Sequence, residues 1–328
     1  MGQSGSHFGT LAKKKKRKAD AKSKEREDAG TGGSSPRLVM RRFGSVATDA
    51  GLGAKVQRSI GCDEMEYFDP FLLLDEITVR KPAGFPDHPH RGVDIVSYVL
   101  QGCTEYQDFL GNEGSIEEGG IQLLTAGRGI VHCEMPSGED VCHSLELWVN
   151  LSPAEKMTEP AYQDSRKEDI PCVTDGGARV KVIAGEYLDK KSCIKTHTPT
   201  IFLDVELDER GTLSQPLPQG WNAFIYVLSG KASFGPPKQQ TEGTEREILL
   251  LTDGQHIEAT NKNAEVCRFV LVAGQPLNDP VAREGNFVMT TLEEVEEAVK
   301  DHRFGRNGFE KAPDWNTQSG LDYLDSQF

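Results

Sequence analysis

The stretch "VDIVSYVLQGCTEY", Val93 to Tyr106, reads as strand, tight turn, strand: β-branched and aromatic residues fill both arms and Gln101-Gly102 breaks them. The plan returns at "NAFIYVLSGKASF", Asn222 to Phe234, with the same Y-V-L-x-G core. A second echo follows each copy. "GGIQLLTAGRGIVHCE" (Gly119 to Glu134) and "REILLLTDGQHIEAT" (Arg246 to Thr260) each hold a strand ending in L-T-x-G close to a histidine. An internal repeat of about 130 residues predicts two barrels of one type. Around these anchors, short runs such as "HSLELWVNLSP", "PTIFLDVEL" and "EVCRFVLVAG" are punctuated by Gly, Pro and Asp, so the body from Arg37 onward is expected to be all-β. The clearest helix is "TLEEVEEAVKDH", Thr291 to His302, with Thr291 as N-cap and Glu294 as its capping-box partner. A shorter helix is expected at Ser152–Met157, joining the halves.

At 328 residues the chain has room for about two ordinary domains, and 37% hydrophobic with 27% charged residues is a soluble, globular composition. No apolar run approaches the roughly 20 residues that span a bilayer. Seven widely spaced cysteines without a C-x-x-C argue against a disulfide framework or a thiolate zinc site, and favour a reducing compartment. The net charge of −14 is uneven: residues 1–36 hold nine Lys/Arg against four acids, a net +5, which leaves −19 on the rest. So acidic a body repels nucleic-acid backbone, which excludes direct sequence-specific nucleic-acid binding. Residues 1–36 are expected to be a disordered basic tail. Its "KKKKRK", Lys13 to Lys18, fits either a solvated charge run or a nuclear localisation element, giving a cytoplasmic or nuclear protein. The opening "MGQSGS" fits N-myristoylation at Gly2, the one route to a membrane.

The chemistry gathers at "GFPDHPHRG", Gly84 to Gly92. Residues i and i+2 of a strand share a face, and two prolines exclude a helix interior, so His88 and His90 point together. In "GRGIVHCEMP", His132 and Glu134 repeat the spacing, while Cys133 points the other way as a packed thiol. Two such pairs on neighbouring strands converge to three imidazoles and one carboxylate. That set suits Fe(II), Mn, Ni, Cu or Zn, and on an octahedral ion leaves positions open for substrate or O₂. In the second half, His256 and Glu258 have the right spacing but no partners, so that barrel is expected to be metal-free. His143 reads as a satisfied core histidine, Trp148 as packing on the opposite face, and His197 and His302 as lying outside any constellation.

The arrangement resembles the cupin pattern, and more closely the pirin family. The segments that carry the resemblance are "FDPFLLLDE", "GFPDHPHRG", "TAGRGIVHCEMP", "CHSLELWVNL", "KMTEPAYQ", "PLNDP" and "FVMTT". It implies a bicupin, two jelly-roll β-barrels packed together, with a short C-terminal helix. Residues 37–160 would form the metal-bearing barrel, 161–302 the second barrel plus helix, and 303–328 an extension that reads as flexible. Carried over by position, the iron ligands fall on His88, His90, His132 and Glu134; one departure is Asp94, where the first cupin motif usually has Glu.

The resemblance further implies a non-haem Fe(II) dioxygenase of quercetin 2,3-dioxygenase type, acting on a small flavonol-like aromatic with O₂. Glu134 would be the ligand able to relay a proton. The alternative it implies is a nuclear, redox-sensitive co-regulator that contacts a transcription factor without turnover. A purely structural bicupin would not need the ligand set.

Overall fold

A computed structural model describes residues 35–325. The basic cluster at Lys13–Lys18 and Gly2 lie outside the described residues. Four sheets dominate, two to a barrel. The first barrel sets a seven-stranded antiparallel sheet, centred on Val93–Gln101 and Cys142–Asn150, against a four-stranded sheet made of Phe85–His90, Ile130–Pro136, Cys103–Asp108 and Glu113–Glu117. The second repeats the plan, with Asn222–Ser229 and Cys267–Gly274 at the centre of its large sheet. No helix among the described residues is long and apolar enough to cross a membrane.

The central strands are apolar on both faces because both faces are covered. Along Val93–Gln101, Val93 and Ile95 look into their own barrel, while Val96 and Tyr98 join a core between the barrels. Asn222–Ser229 divides likewise: Ala223, Ile225 and Val227 face inward, and Phe224 and Tyr226 face the other barrel. The repeated tyrosine of Y-V-L-x-G therefore has a role in each copy. Tyr98 donates to Asp204 of the second barrel at 2.7 Å, and Tyr226 donates to Glu76 of the first at 2.6 Å. Each carboxylate has a second donor on the strand paired with it: Arg268 for Asp204, and His143 for Glu76 at 2.7 Å. The repeated glycines, Gly102 and Gly230, turn with φ of +79° and +71°, and a Cβ on either would lie 2.6 Å from the carbonyl oxygen of Val141 or Val266.

Chain order and barrel membership differ from the expected boundaries. Val39–Gly44, expected in the first barrel, pairs with Glu247–Leu251 of the second. Just before it Arg37, fully buried, donates to the carbonyl oxygens of Pro218, Trp221, Thr252 and Gly254, so the strand cannot reach the first barrel. Ala161–Ser165 pairs with Ile121–Thr125 and belongs to the first barrel, beyond the boundary drawn at 160.

The helix at Leu292–Phe304 has its expected capping box, with the Thr291 hydroxyl accepting from the Glu294 N–H. It packs on the first barrel: Val295 and Ala298 share a core with Leu72, Val93 and Ile130. The extension beyond it is held rather than loose. Phe309 is fully buried in that same core and Trp315 packs against it. The helix expected at Ser152–Met157 is a run of turns in which the Glu155 and Lys156 N–H groups both bond the Ser152 carbonyl. Six residues after which Pro160 follows are too few to offset helix nucleation.

Burial opposes ionisation of Asp204, but Arg268, Lys181 and Tyr98 outweigh it and hold the carboxyl below the usual range. A depressed folded-state pKa gives stability that is present above the ordinary Asp range near ~3.9 and is lost as pH falls through the folded value. Asp204→Ala should lower the unfolding free energy by about 3–5 kcal/mol at neutral pH, with the deficit shrinking in acid, because Arg268 and the Tyr98 hydroxyl lose their buried acceptor. Urea titrations of both proteins across pH check this.

Candidate metal centre

The strands Phe85–His90 and Ile130–Pro136 lie side by side, antiparallel, with His132 directly opposite His88 and Ile130 opposite His90. Alternation sends His88, His90 and His132 to one face. The ring centroids stand 4.8 Å apart for His88–His90, 4.4 Å for His88–His132 and 5.0 Å for His90–His132. One nitrogen from each ring lies within 4.8 Å of the others. The register slips between His132 and Glu134, so Glu134 falls opposite Phe85. Its Oε2 is 3.9 Å from His132 Nε2, on the rim of the imidazole cluster.

Burial leaves part of this set without hydrogen-bond partners. His90 Nδ1 and both His132 nitrogens are buried with no hydrogen-bond partner. His88 Nδ1 is 2.8 Å from the Pro86 carbonyl, which fixes Nδ1–H as donor and frees Nε2 as a lone pair. Burial holds all three below the usual imidazole range, His90 and His132 well below it, and neighbouring imidazoles add to the effect on those two. Neutral imidazoles with unused lone pairs are what a borderline-hard cation needs, and an uncompensated buried nitrogen costs roughly 1–3 kcal/mol otherwise. The residues fit a metal ion. A cavity of about 470 Å³ reaches them, lined by His88, His90 and Glu134 and by Glu146, Trp148 and Arg283.

Comparison with known proteins agrees with this architecture. A family profile described as "Pirin" matches residues 53–149, and one described as "Pirin C-terminal cupin domain" matches 202–308. A "Pirin-like protein" of Solanum lycopersicum is 46% identical over 282 residues, covering 86% of this chain and 97% of that protein. Pirin of Homo sapiens is 45% identical over 289 residues, covering 88% and 99%. The chain belongs to the pirin family. Among solved structures, a quercetin 2,3-dioxygenase from Acinetobacter baumannii superposes with TM-score 0.77 at 28% identity, covering 84% of this chain and 99% of that one. The bacterial pirin YhhW of Escherichia coli, solved in complex with nickel(II), shares the fold at TM-score 0.58 and 20% identity, covering 72% and 99%.

Two residues of this pirin site escaped the sequence reading. Glu146 and Trp148 lie on the opposite face of Cys142–Asn150 from Leu145, Leu147 and Val149, and that apolar face meets the other barrel. The face turned to the metal cluster is theirs: the Trp148 ring is edge-on to His90 at 5.1 Å, and its Nε1–H donates to Glu146 at 2.6 Å. Trp148 is thus cavity wall as well as packing. The Arg283 guanidinium lies over the Trp148 ring, 4.6 Å from its centroid. A carboxylate inside the apolar run "LELWV" was the available signal. Burial, then the charge of Glu146, pushes the Glu134 carboxyl up; burial, then Asp75, does the same to Glu146.

The remaining candidates sort by partner. Asp94 is buried, accepts from Thr125 and from the His197 N–H, and takes no part in the cluster. His197 is paired with it, 3.2 Å away, so it does have a partner. His143 is bonded to Glu76 and is partly exposed, satisfied but not deep in a core. His256 and Glu258 contact each other at 3.2 Å. Cys133 is buried on the outer face of its strand, beside Met135 and Thr317.

Loss of one imidazole leaves the set incomplete. His132→Ala, purified without added metal, should hold less than roughly a tenth of the wild-type metal per chain, since outer partners alone are worth ~10–100-fold in affinity. Elemental analysis of both proteins reads this directly.

Proposed function

We propose that His88, His90, His132 and Glu134 hold one Fe(II), and that the protein is a dioxygenase of quercetin 2,3-dioxygenase type that opens a small flavonol-like aromatic with O₂. The observation that carries the reading is the cluster of three imidazoles, His90 and His132 with buried nitrogens left unpaired, beside a 470 Å³ cavity that His88 and His90 line. Its size is within the usual range for a small-molecule site. The likeness to a protein named quercetin 2,3-dioxygenase supports the substrate class. Mn, Ni, Cu and Zn remain chemically compatible with the same donors.

When bound, the metal supplies open coordination positions and Lewis acidity. The protein does the rest. The two strands fix three donors on one face, so a planar ligand enters from the cavity side only. Trp148, stiffened by its bond to Glu146 and by the Arg283 guanidinium, forms a flat wall for an aromatic ring. Glu134 sits where burial and a neighbouring carboxylate raise its proton affinity. In its ionised form a carboxylate oxygen of Glu134 can accept the proton of the substrate's hydroxyl and hold it out of water. Burial of the site excludes bulk solvent from that exchange.

With quercetin as substrate, Glu134→Ala should slow O₂ uptake and carbon monoxide release by at least ~10²-fold, the usual scale for a lost proton acceptor. Metal-depleted wild-type protein should show none, and re-addition of Fe(II) should restore it. Turnover that persists in the metal-depleted protein sinks the proposal.

A further inference from the structure

A metal-bound histidine is usually oriented by a hydrogen bond from its other ring nitrogen to a carbonyl or carboxylate. Here only His88 has one; His90 Nδ1 and His132 Nδ1 have none. Their ring positions must therefore come from where the strands themselves are held. The two residues flanking His88-Pro89-His90 answer the question of what holds them. Asp87, before the tripeptide, accepts from the Thr317 hydroxyl at 2.5 Å and from the Thr317 N–H at 2.8 Å. Arg91, after it, donates to Asp301 at 2.9 Å with both side chains only 2% exposed, and to the Asn307 carbonyl at 2.7 Å. Both partners come from the last thirty or so residues, more than 200 positions along the chain.

The same segment reaches the second ligand strand. Gly129, one residue before Ile130–Pro136, has φ of +144°, and a Cβ there would lie 2.6 Å from the Phe309 ring. The fit is tight at the other end also. Thr317 accepts the Gly320 N–H on its hydroxyl, and a Cβ on Gly320 would come within 2.1 Å of Asp87 Oδ2. Asp301 is itself fixed by Arg306 at 2.8 Å and Asn307 at 3.0 Å.

The geometry points to residues 301–320 as a brace that sets the metal ligands from outside the barrel, with Asp87, Arg91, Asp301 and Thr317 as positioning residues. The inference rests on the metal-centre reading above. It assigns to the extension a function in metal affinity: a clamp on both ends of the His-x-His strand aims the imidazoles, where the His90 and His132 rings have no orienting bond at Nδ1.

Thr317→Ala removes the hydroxyl half of the Asp87 clamp and leaves the donor set intact. Full-length protein is stripped of metal and titrated with Co(II), whose ligand-field bands report donor geometry. Thr317→Ala should bind Co(II) about 10–100-fold more weakly, with shifted bands, and Thr317→Ser should restore both. Gly320→Ala, which drives a methyl against Asp87, should shift the bands likewise. Wild-type affinity and spectrum in both Thr317→Ala and Gly320→Ala overturn the brace while leaving the metal centre standing. Failure of the wild type to take up one Co(II) per chain overturns both.

Discussion

Three clustered imidazoles, two of them with buried nitrogens that have no hydrogen-bond partner, are the constraint around which the first barrel is arranged. A chain that takes such rings out of water forgoes their hydrogen bonds to solvent, roughly 1–3 kcal/mol for each nitrogen left unmatched. The offset comes from packing, since strands apolar on both faces remove far more surface from water than the rings do. Burial also keeps the rings neutral, so the feature that disfavours the empty site is the one that prepares it for a cation.

Much of this could be read from the chain alone, for a definite reason. Period-two geometry is local, so His88/His90 and His132/Glu134 declare their shared faces without knowledge of the fold. The repeated Y-V-L-x-G announces two equivalent barrels because each tyrosine needs a carboxylate in the other one, and each glycine a left-handed turn. What could not be read is which face of a doubly buried strand looks inward. Leu145, Leu147 and Val149 seem the natural barrel interior, yet they meet the second barrel, and the polar-looking face with Glu146 and Trp148 lines the cavity. Contacts such as Thr317 to Asp87 were equally hidden: a nine-residue motif carries no mark of a partner more than 200 positions away.

The two barrels have diverged around a common frame. Glu76 and Asp204 play matching parts at the seam, each receiving a tyrosine from across it and a basic side chain from the neighbouring strand. The ligands have not been retained in the same way. His256 and Glu258 turn to each other, on a strand that also pairs with Thr212–Pro216. The clustered histidines lie in the first barrel, and the second presents an apolar wall against which the first is packed.

The swapped first strand and the late-arriving extension together impose an order of assembly. Val39–Gly44 leaves the ribosome long before its sheet partner Glu247–Leu251 exists, and the ligand-bearing strands emerge well ahead of Phe309 and Thr317. A nascent chain stalled midway would therefore present the histidines on strands whose outer supports are still unsynthesised. The ligand-bearing strands therefore gain their outer supports only when Phe309 and Thr317, far along the chain, have joined the fold.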